Sequence, residues 1–228
     1  MANLENTNND SIFSGTNSND IIYNYGNSVT IYSGDGHDSI YNGTSGINHH
    51  TGRSVKIYSG NGNDYIENAG RNSSIYAGNG NDFIANLTDD FSMYITNGVN
   101  VIIEGEEGND TITNGYKEVY HYQGGHFIGG QAYSYSVTIN GGQGDDSLVN
   151  SSSNVKINAG TGDDDIFSRG TKVSIFGDEG NDTIYYNCDG YYYVNKEPGT
   201  INAGEGDDII YIEDNTIIEY NDADSSHG

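Results

Sequence analysis

The chain has 228 residues, with 8 Lys plus Arg against 33 Asp plus Glu and a formal net charge of −25. Such a surface repels nucleic acid and anionic lipid and attracts cations. A single cysteine, Cys188, excludes an intrachain disulfide framework and a Cys-rich zinc site, and no window approaches the roughly 18 apolar residues of a membrane-spanning helix.

Only 33% of residues are hydrophobic, and 33 glycines stand beside one proline, a mixture that on averages alone leans toward disorder. Residues 1–11 carry neither the basic n-region nor the apolar h-region of a Sec signal peptide and read as a leader or cap. From residue 12 a pattern begins. The first copy, IFSGTNSNDII, reaches Asp20 through a turn, GTNSND, that lacks the second glycine and reads as holding one extra residue, so Asp20 stays doubtful.

Eight full copies follow: IYSGDGHDSI (Asp38), IYSGNGNDYI (Asp64), IYAGNGNDFI (Asp82), IEGEEGNDTI (Asp110), INGGQGDDSL (Asp146), INAGTGDDDI (Asp164), IFGDEGNDTI (Asp182) and INAGEGDDII (Asp208). Steps between aspartates, from Asp20, are 18, 26, 18, 28, 36, 18, 18 and 26, so 18 is the unit. Two positions before each of these eight aspartates stands Gly36, Gly62, Gly80, Gly108, Gly144, Gly162, Gly180 or Gly206. Four before stands Gly34, Gly60, Gly78, Gly142, Gly160 or Gly204, with Glu106 and Asp178 as departures. Such spacing predicts a tight turn with positive φ.

Around each turn apolar residues alternate with polar ones, as in Val29, Ile31 and Ile40, the period of a half-buried strand. One unit is too short to bury anything alone. Stacked, the units bury Ile31, Ile57, Ile75, Ile103, Ile139, Ile157, Ile175 and Ile201 as one ladder, and Ile40, Ile66, Ile84, Ile112, Leu148, Ile166, Ile184 and Ile210 as another. The expected fold is all-β, a parallel β-solenoid of about 18 residues per coil over residues 12–212, with a C-terminal cap or tail at 213–228. The longer steps are read as loop insertions near 43–53, 87–98, 115–135 and 188–199. Steps of 26 or 28 also fit one and a half coils, and the 36-residue step fits a hidden degenerate coil.

In-register stacking sets neighbouring aspartates one strand spacing apart, about 4.8 Å. At an effective dielectric near 20 each ionised pair then repels by roughly 3 to 4 kcal/mol, so the column requires protons or cations. A flexible glycine turn offering carboxylate and carbonyl oxygen suits Ca²⁺ better than octahedral Mg²⁺.

These segments resemble the nine-residue GGxGxDxUx repeat of the RTX (repeats-in-toxin, haemolysin-type) calcium-binding family, with NGGQGDDSL at 140–148 the nearest copy and the similarity running from about residue 12 to 212. The resemblance implies a right-handed β-roll in which glycine-turn carbonyls and the repeated aspartates hold several Ca²⁺ ions between neighbouring turns. Carried over by position, the side-chain ligands are Asp38, Asp64, Asp82, Asp110, Asp146, Asp164, Asp182 and Asp208. The family roll has a metal turn every nine residues, whereas one glycine turn per 18 places calcium along a single edge. Secretion by a type I system, with folding outside the cell, is a further implication, and the chain is expected to be extracellular or cell-surface, a stand-alone roll or part of a larger secreted protein.

The insertions are rich in tyrosine, and Tyr120, Tyr122, Tyr191, Tyr192 and Tyr193 are candidate contacts for a glycan or surface protein or, alternatively, a cover over the roll. His49, His50, His121 and His126 also fall there, read as solvated or, if the loops meet, as transition-metal ligands. Tyr32, Tyr58 and Tyr76, outward before three turns, read as a strand-stabilising stack. A structural or adhesive module, not an enzyme, is the leading reading. There is no GxSxG elbow, and the pair Asp145 and Asp146 looks like an acid–base couple only until the repeat explains it. Alternatives are a carbohydrate-binding or polysaccharide-processing accessory module and, less favoured, an ice-binding solenoid, since the residue between the turn glycines is threonine only at Thr161.

Overall fold

The computed structural model describes residues 1–43, 51–87, 100–115, 136–187 and 199–212, with three further short strands at 122–123, 126–127 and 218–221. The alternating runs on either side of the glycine turns form two ten-stranded parallel sheets. One sheet comprises β2 (Ile12–Ser14), β4 (Thr30–Asp35), β6 (Lys56–Asn61), β8 (Ser74–Asn79), β10 (Val101–Glu107), β14 (Val137–Gln143), β16 (Val155–Thr161), β18 (Ser174–Glu179), β20 (Gly199–Asn202) and β22 (Ile218–Asn221). The other comprises β1 (Asn3–Asn6), β3 (Ile21–Asn24), β5 (Ser39–Asn42), β7 (Tyr65–Asn68), β9 (Phe83–Asn86), β11 (Thr111–Asn114), β15 (Ser147–Asn150), β17 (Asp165–Arg169), β19 (Thr183–Asn187) and β21 (Ile209–Ile212). The chain alternates between sheets, and each strand pairs with the next of its own sheet, so the molecule is an open all-β solenoid. Pairing runs from Asn3 to Asn221, further at both ends than the expected 12–212.

Both isoleucine ladders lie in one buried cluster, so the sheets share a single thin apolar layer. Ile210, in the final coil, is only partly buried. β-branched residues suit this layer because their stiff χ1 packs well on a pleated surface.

Register resolves the long steps. Ile31 pairs with Ile57 across 26 residues, and Ile75 with Ile103 across 28, in the same sheet as every other such isoleucine. The strands flanking each of these steps therefore stay neighbours in one sheet, and one-and-a-half coils are excluded. Ile103 pairs directly with Ile139, so the 36-residue step contributes no hidden coil to either sheet. Within it, β12 (Tyr122–Gln123) and β13 (His126–Phe127) pair antiparallel with each other. The first turn is also corrected: Ser14 pairs with Tyr32 and Ile21 with Ser39, both 18 apart, so GTNSND contains no extra residue.

The edge opposite the glycine turns is held by a column that sequence reasoning missed. Asn6, Asn24, Asn42, Asn68, Asn86, Asn114 and Asn150 are buried, and each Nδ2 donates to the next Oδ1 at 2.7–2.9 Å until Asn150 reaches Ser168 Oγ at 3.0 Å. Several also close their own turn, as where Asn68 Nδ2 donates to the Gly70 carbonyl and its Oδ1 accepts the Gly70 N–H, both at 3.1 Å. In the next coil Tyr186 takes the place of the amide, fully buried with its hydroxyl on the Gly170 carbonyl at 2.7 Å.

Candidate metal centre

Every glycine carried over as part of a metal turn, from Gly34 and Gly36 to Gly204 and Gly206, has φ between 101° and 143°. Space reinforces the conformational demand: a Cβ on Gly62 would collide with the carbonyl oxygen of Gly36 in the coil before it. The two departures adopt the same hand without being glycine, Glu106 at φ 78° and Asp178 at φ 74°.

These turns bring the predicted aspartates into one column, lining the edge from within. Asp38, Asp64, Asp82, Asp110, Asp146, Asp164 and Asp182 are each no more than 3% exposed, while Asp208 in the last coil is partly exposed. Oδ1 of each accepts the backbone N–H of the aspartate one coil earlier, from Asp20 N–H to Asp38 Oδ1 at 2.7 Å through to Asp182 N–H to Asp208 Oδ1 at 2.9 Å. Oδ2 is different. In all seven buried members it has no hydrogen-bond partner.

At Asp110, Asp146 and Asp182 that oxygen faces a carbonyl oxygen. Beside Asp38 and Asp64 the Ser33 and Ser59 hydroxyls, which oppose the upward push of burial on those carboxyls, donate to the Ser59 and Ala77 carbonyls at 2.6 and 2.7 Å. A Cβ on Gly141 would collide with both Asp146 Oδ2 and the Ala159 carbonyl oxygen of the next coil, and Gly105 and Gly177 repeat the arrangement with Asp110 and Asp182. A buried carboxylate oxygen beside a carbonyl oxygen, with no donor supplied, needs a proton or a cation. Its electrostatics agree. Burial pushes Asp64, Asp82, Asp110 and Asp164 up to about 7, neighbouring carboxylates add to this, and the accepted N–H opposes it. Burial likewise pushes Asp146 and Asp182 up to about 6 and raises Asp38. At Asp20 burial is outweighed by hydrogen bonds from Ala2 and Thr16, which hold it below the usual carboxylate value.

Among the described residues no three His, Cys, Asp or Glu side chains converge as a metal-binding group. A cation at this edge would draw on backbone as well as carboxylate oxygen, a hard donor set that fits Ca²⁺.

A second ladder runs outside the column, unforeseen from sequence. The side chain preceding each aspartate accepts the equivalent N–H of the next coil, as in Asn81 N–H to Asn63 Oδ1 at 3.2 Å and Asp163 N–H to Asp145 Oδ1 at 2.9 Å. Where His37 takes this place, its Nδ1 accepts from Asn63 at 2.7 Å. Asp145 thus belongs to this outer ladder and Asp146 to the buried column.

The outward stack is as expected: Tyr32, Tyr58 and Tyr76 lie face to face with centroids 5.1 and 4.8 Å apart. Tyr120, Tyr191, Tyr192, Tyr193, His49, His50 and His121 fall outside the described residues, while Tyr122 opens β12 and His126 opens β13.

Taken together, the fold and the site define an open parallel β-solenoid whose acidic glycine turns stack into one oxygen-lined column. The family model of the RTX calcium-binding nonapeptide repeat matches residues 58–86, 100–115, 132–154, 140–170, 158–187 and 200–211. The chain belongs to the proteins built of RTX calcium-binding repeats. No curated protein sequence matches it. Its structure is similar to that of a hyperactive, Ca²⁺-dependent, β-helical antifreeze protein from an Antarctic bacterium, with TM-score 0.55 and 22% identity over 93% of this chain, a likeness of fold. This chain spans 63% of that protein's chain. Among the described residues no helix is long and apolar enough to cross a membrane.

Proposed function

We propose that this chain is a calcium-folded β-roll of a secreted or cell-surface protein, with Ca²⁺ held along one edge by Asp38, Asp64, Asp82, Asp110, Asp146, Asp164 and Asp182 and by carbonyl oxygens of their glycine turns. The observation that carries the reading is the run of seven buried Oδ2 atoms without a hydrogen-bond donor. Calcium, when bound, supplies the positive charge that lets these groups ionise inside the fold. The chain's own residues do the remainder: positive-φ glycines close the turn, each Oδ1 ties its carboxylate to the previous coil, and the isoleucine ladders set the register.

Folding is then linked to ambient calcium, since each ion stabilises the folded state by about 2.7 kcal/mol at a hundredfold excess over its Kd. Such a chain stays extended where calcium is scarce and folds where it is abundant, which suits export from a cell. The role is structural or adhesive, not catalytic, with the insertions offering surface for a glycan or protein partner. The Tyr32–Tyr58–Tyr76 stack is a poor sugar platform because its ring faces cover one another. An ice-binding role is disfavoured by the outward column Thr30, Lys56, Ser74, Ile102, Thr138, Lys156 and Ser174, which alternates in size and charge where a lattice needs regularity.

Equilibrium dialysis against radioactive calcium tests the reading. Several ions per chain are expected at millimolar calcium, undiminished by equimolar magnesium. No retained calcium, or equal displacement by magnesium, contradicts it.

A further inference from the structure

The first turn of the stack is built differently from all those above it. Because register is kept on both flanks, Gly15 to Asp20 lie in line with Ser33 to Asp38, and Thr16 and Ser18 stand where Gly34 and Gly36 stand in the next coil. Gly34 and Gly36 have φ of 113° and 129°, whereas neither Thr16 nor Ser18 takes a positive φ. The change of hand re-aims the peptide. Thr16 N–H donates to Asp20 Oδ2 at 2.7 Å, and the Thr16 hydroxyl reaches the same oxygen at 2.8 Å. Asp20 Oδ1 accepts the Ala2 N–H at 2.8 Å.

Both oxygens of Asp20 are therefore satisfied by the protein, at the position where the next seven aspartates have one oxygen bare. The other end has a different character, since Asp208 is partly exposed and accepts the Asp182 N–H at 2.9 Å.

We propose that the Asp20 turn is a protein-built stand-in for a calcium site: it takes no ion, Thr16 supplies the donors a metal would replace, and the coil it closes is an ordered template from which calcium-dependent stacking of the following coils proceeds. The inference rests on the calcium reading above and adds a boundary and a direction to it. A solenoid adds coils by nearest-neighbour contact, so a coil ordered without metal offers a template on which Asp38 and the following turns assemble as ions bind. Without such a coil, the first ion would have to order two coils at once, the costly step of any one-dimensional assembly.

Two readouts test this in the full chain. In calcium stoichiometry by dialysis, Asp20→Asn and Thr16→Val are expected to retain the wild-type number of ions, while Asp146→Asn loses at least one. In residue-resolved amide hydrogen exchange at half-saturating calcium, the Gly15, Ile21 and Thr30 amides, bonded to Tyr32, Ala2 and Ser11, are expected to exchange at least about tenfold more slowly than the Thr183, Thr200 and Ile209 amides of the last coils. Thr16→Val should erase that gradient and Thr16→Ser preserve it. An ion lost from Asp20→Asn, or protection that is uniform or strongest at the C-terminal end, overturns the inference while leaving calcium binding intact. A wild-type chain that binds no calcium instead removes the reading beneath it, and is recognised because none of the variants then alters the ion count.

Discussion

Each buried aspartate of the column uses its two oxygens differently, and substitution separates the two tasks. Asp146 Oδ1 accepts the Asp110 N–H at 2.7 Å, its own N–H reaches Asp164 Oδ1 at 2.8 Å, and its Oδ2 is bare. Asp146→Asn keeps an acceptor for Asp110 and replaces the bare oxygen with an amide that brings protons. At pH 7.5 the variant should therefore be more stable than the wild type in EDTA, by about 1–3 kcal/mol, the usual cost of an unsatisfied buried group. In saturating calcium the order should reverse, and urea unfolding under both conditions reads the crossing; a variant weaker in EDTA as well would contradict this account of the column. Glu106 gives a simpler case. It holds φ 78° where six other turns have glycine, so Glu106→Gly should stabilise the fold in calcium by roughly 1–2 kcal/mol from relief of the left-handed strain, read as a higher urea midpoint. Fixed spacing made the aspartates and glycines legible in the sequence, because one period accounts for them all. It left unread which oxygen is occupied, and the apparent extra residue before Asp20 came from matching glycines where Thr16 and Ser18 hold the turn by hydrogen bonds instead.

At the scale of the strand and its turn, two kinds of column hold the coils together beside the apolar layer. Asn68 lies in the middle of the amide ladder, accepting from Asn42 at 2.7 Å and donating to Asn86 at 2.8 Å while closing its own turn on Gly70. Truncation to alanine strands donors and acceptors in both neighbouring coils, so Asn68→Ala should cost about 2–4 kcal/mol in calcium, although no metal group is touched. A loss below 1 kcal/mol would mean that the ladder is only decorative. Stacked rings contribute less: Tyr58 lies between Tyr32 and Tyr76, and Tyr23 and Tyr41 stack at 5.0 Å on the other sheet. The ladder was present in the sequence as an asparagine four residues after each aspartate from Asp20 to Asp146, in IIYN, SIYN, YIEN, FIAN, TITN and SLVN. Alternation of apolar and polar positions conceals it, because a buried polar residue there looks like an outward or turn position. The long steps, read as insertions with one and a half coils as the alternative, needed strand register to decide, because chain length alone is the same for both.

Across the whole molecule the stack is one-dimensional, with a thin core and a net charge of −25, so the state of the carboxylate column decides whether the coils stay together. In the metal-free fold six carboxylates sit at about 6 to 7, against about 3.9 for aspartate in an unfolded chain. A pKa raised on folding means that the folded state holds protons more tightly. Its stabilising contribution is complete below about pH 4 and is lost as the pH rises through 6 to 7. Asp20, held low, runs the opposite way and is one group against seven, since Asp38 is raised as well. In EDTA, then, β-structure should be greatest near pH 4 and fall between pH 5 and 8, whereas in calcium it should persist at pH 8 and require more calcium as the pH drops below 7. A metal-free protein that gains β-structure on going from pH 4 to 8 would reverse the assigned sign. The central claim, that calcium completes this fold, is tested most directly by far-UV circular dichroism at pH 7.5 during a calcium titration, with magnesium in parallel and EDTA added at the end. The account predicts a cooperative rise of β-structure with calcium, little response to magnesium, and full reversal by EDTA. A spectrum already fully β in EDTA and unchanged by calcium would contradict it.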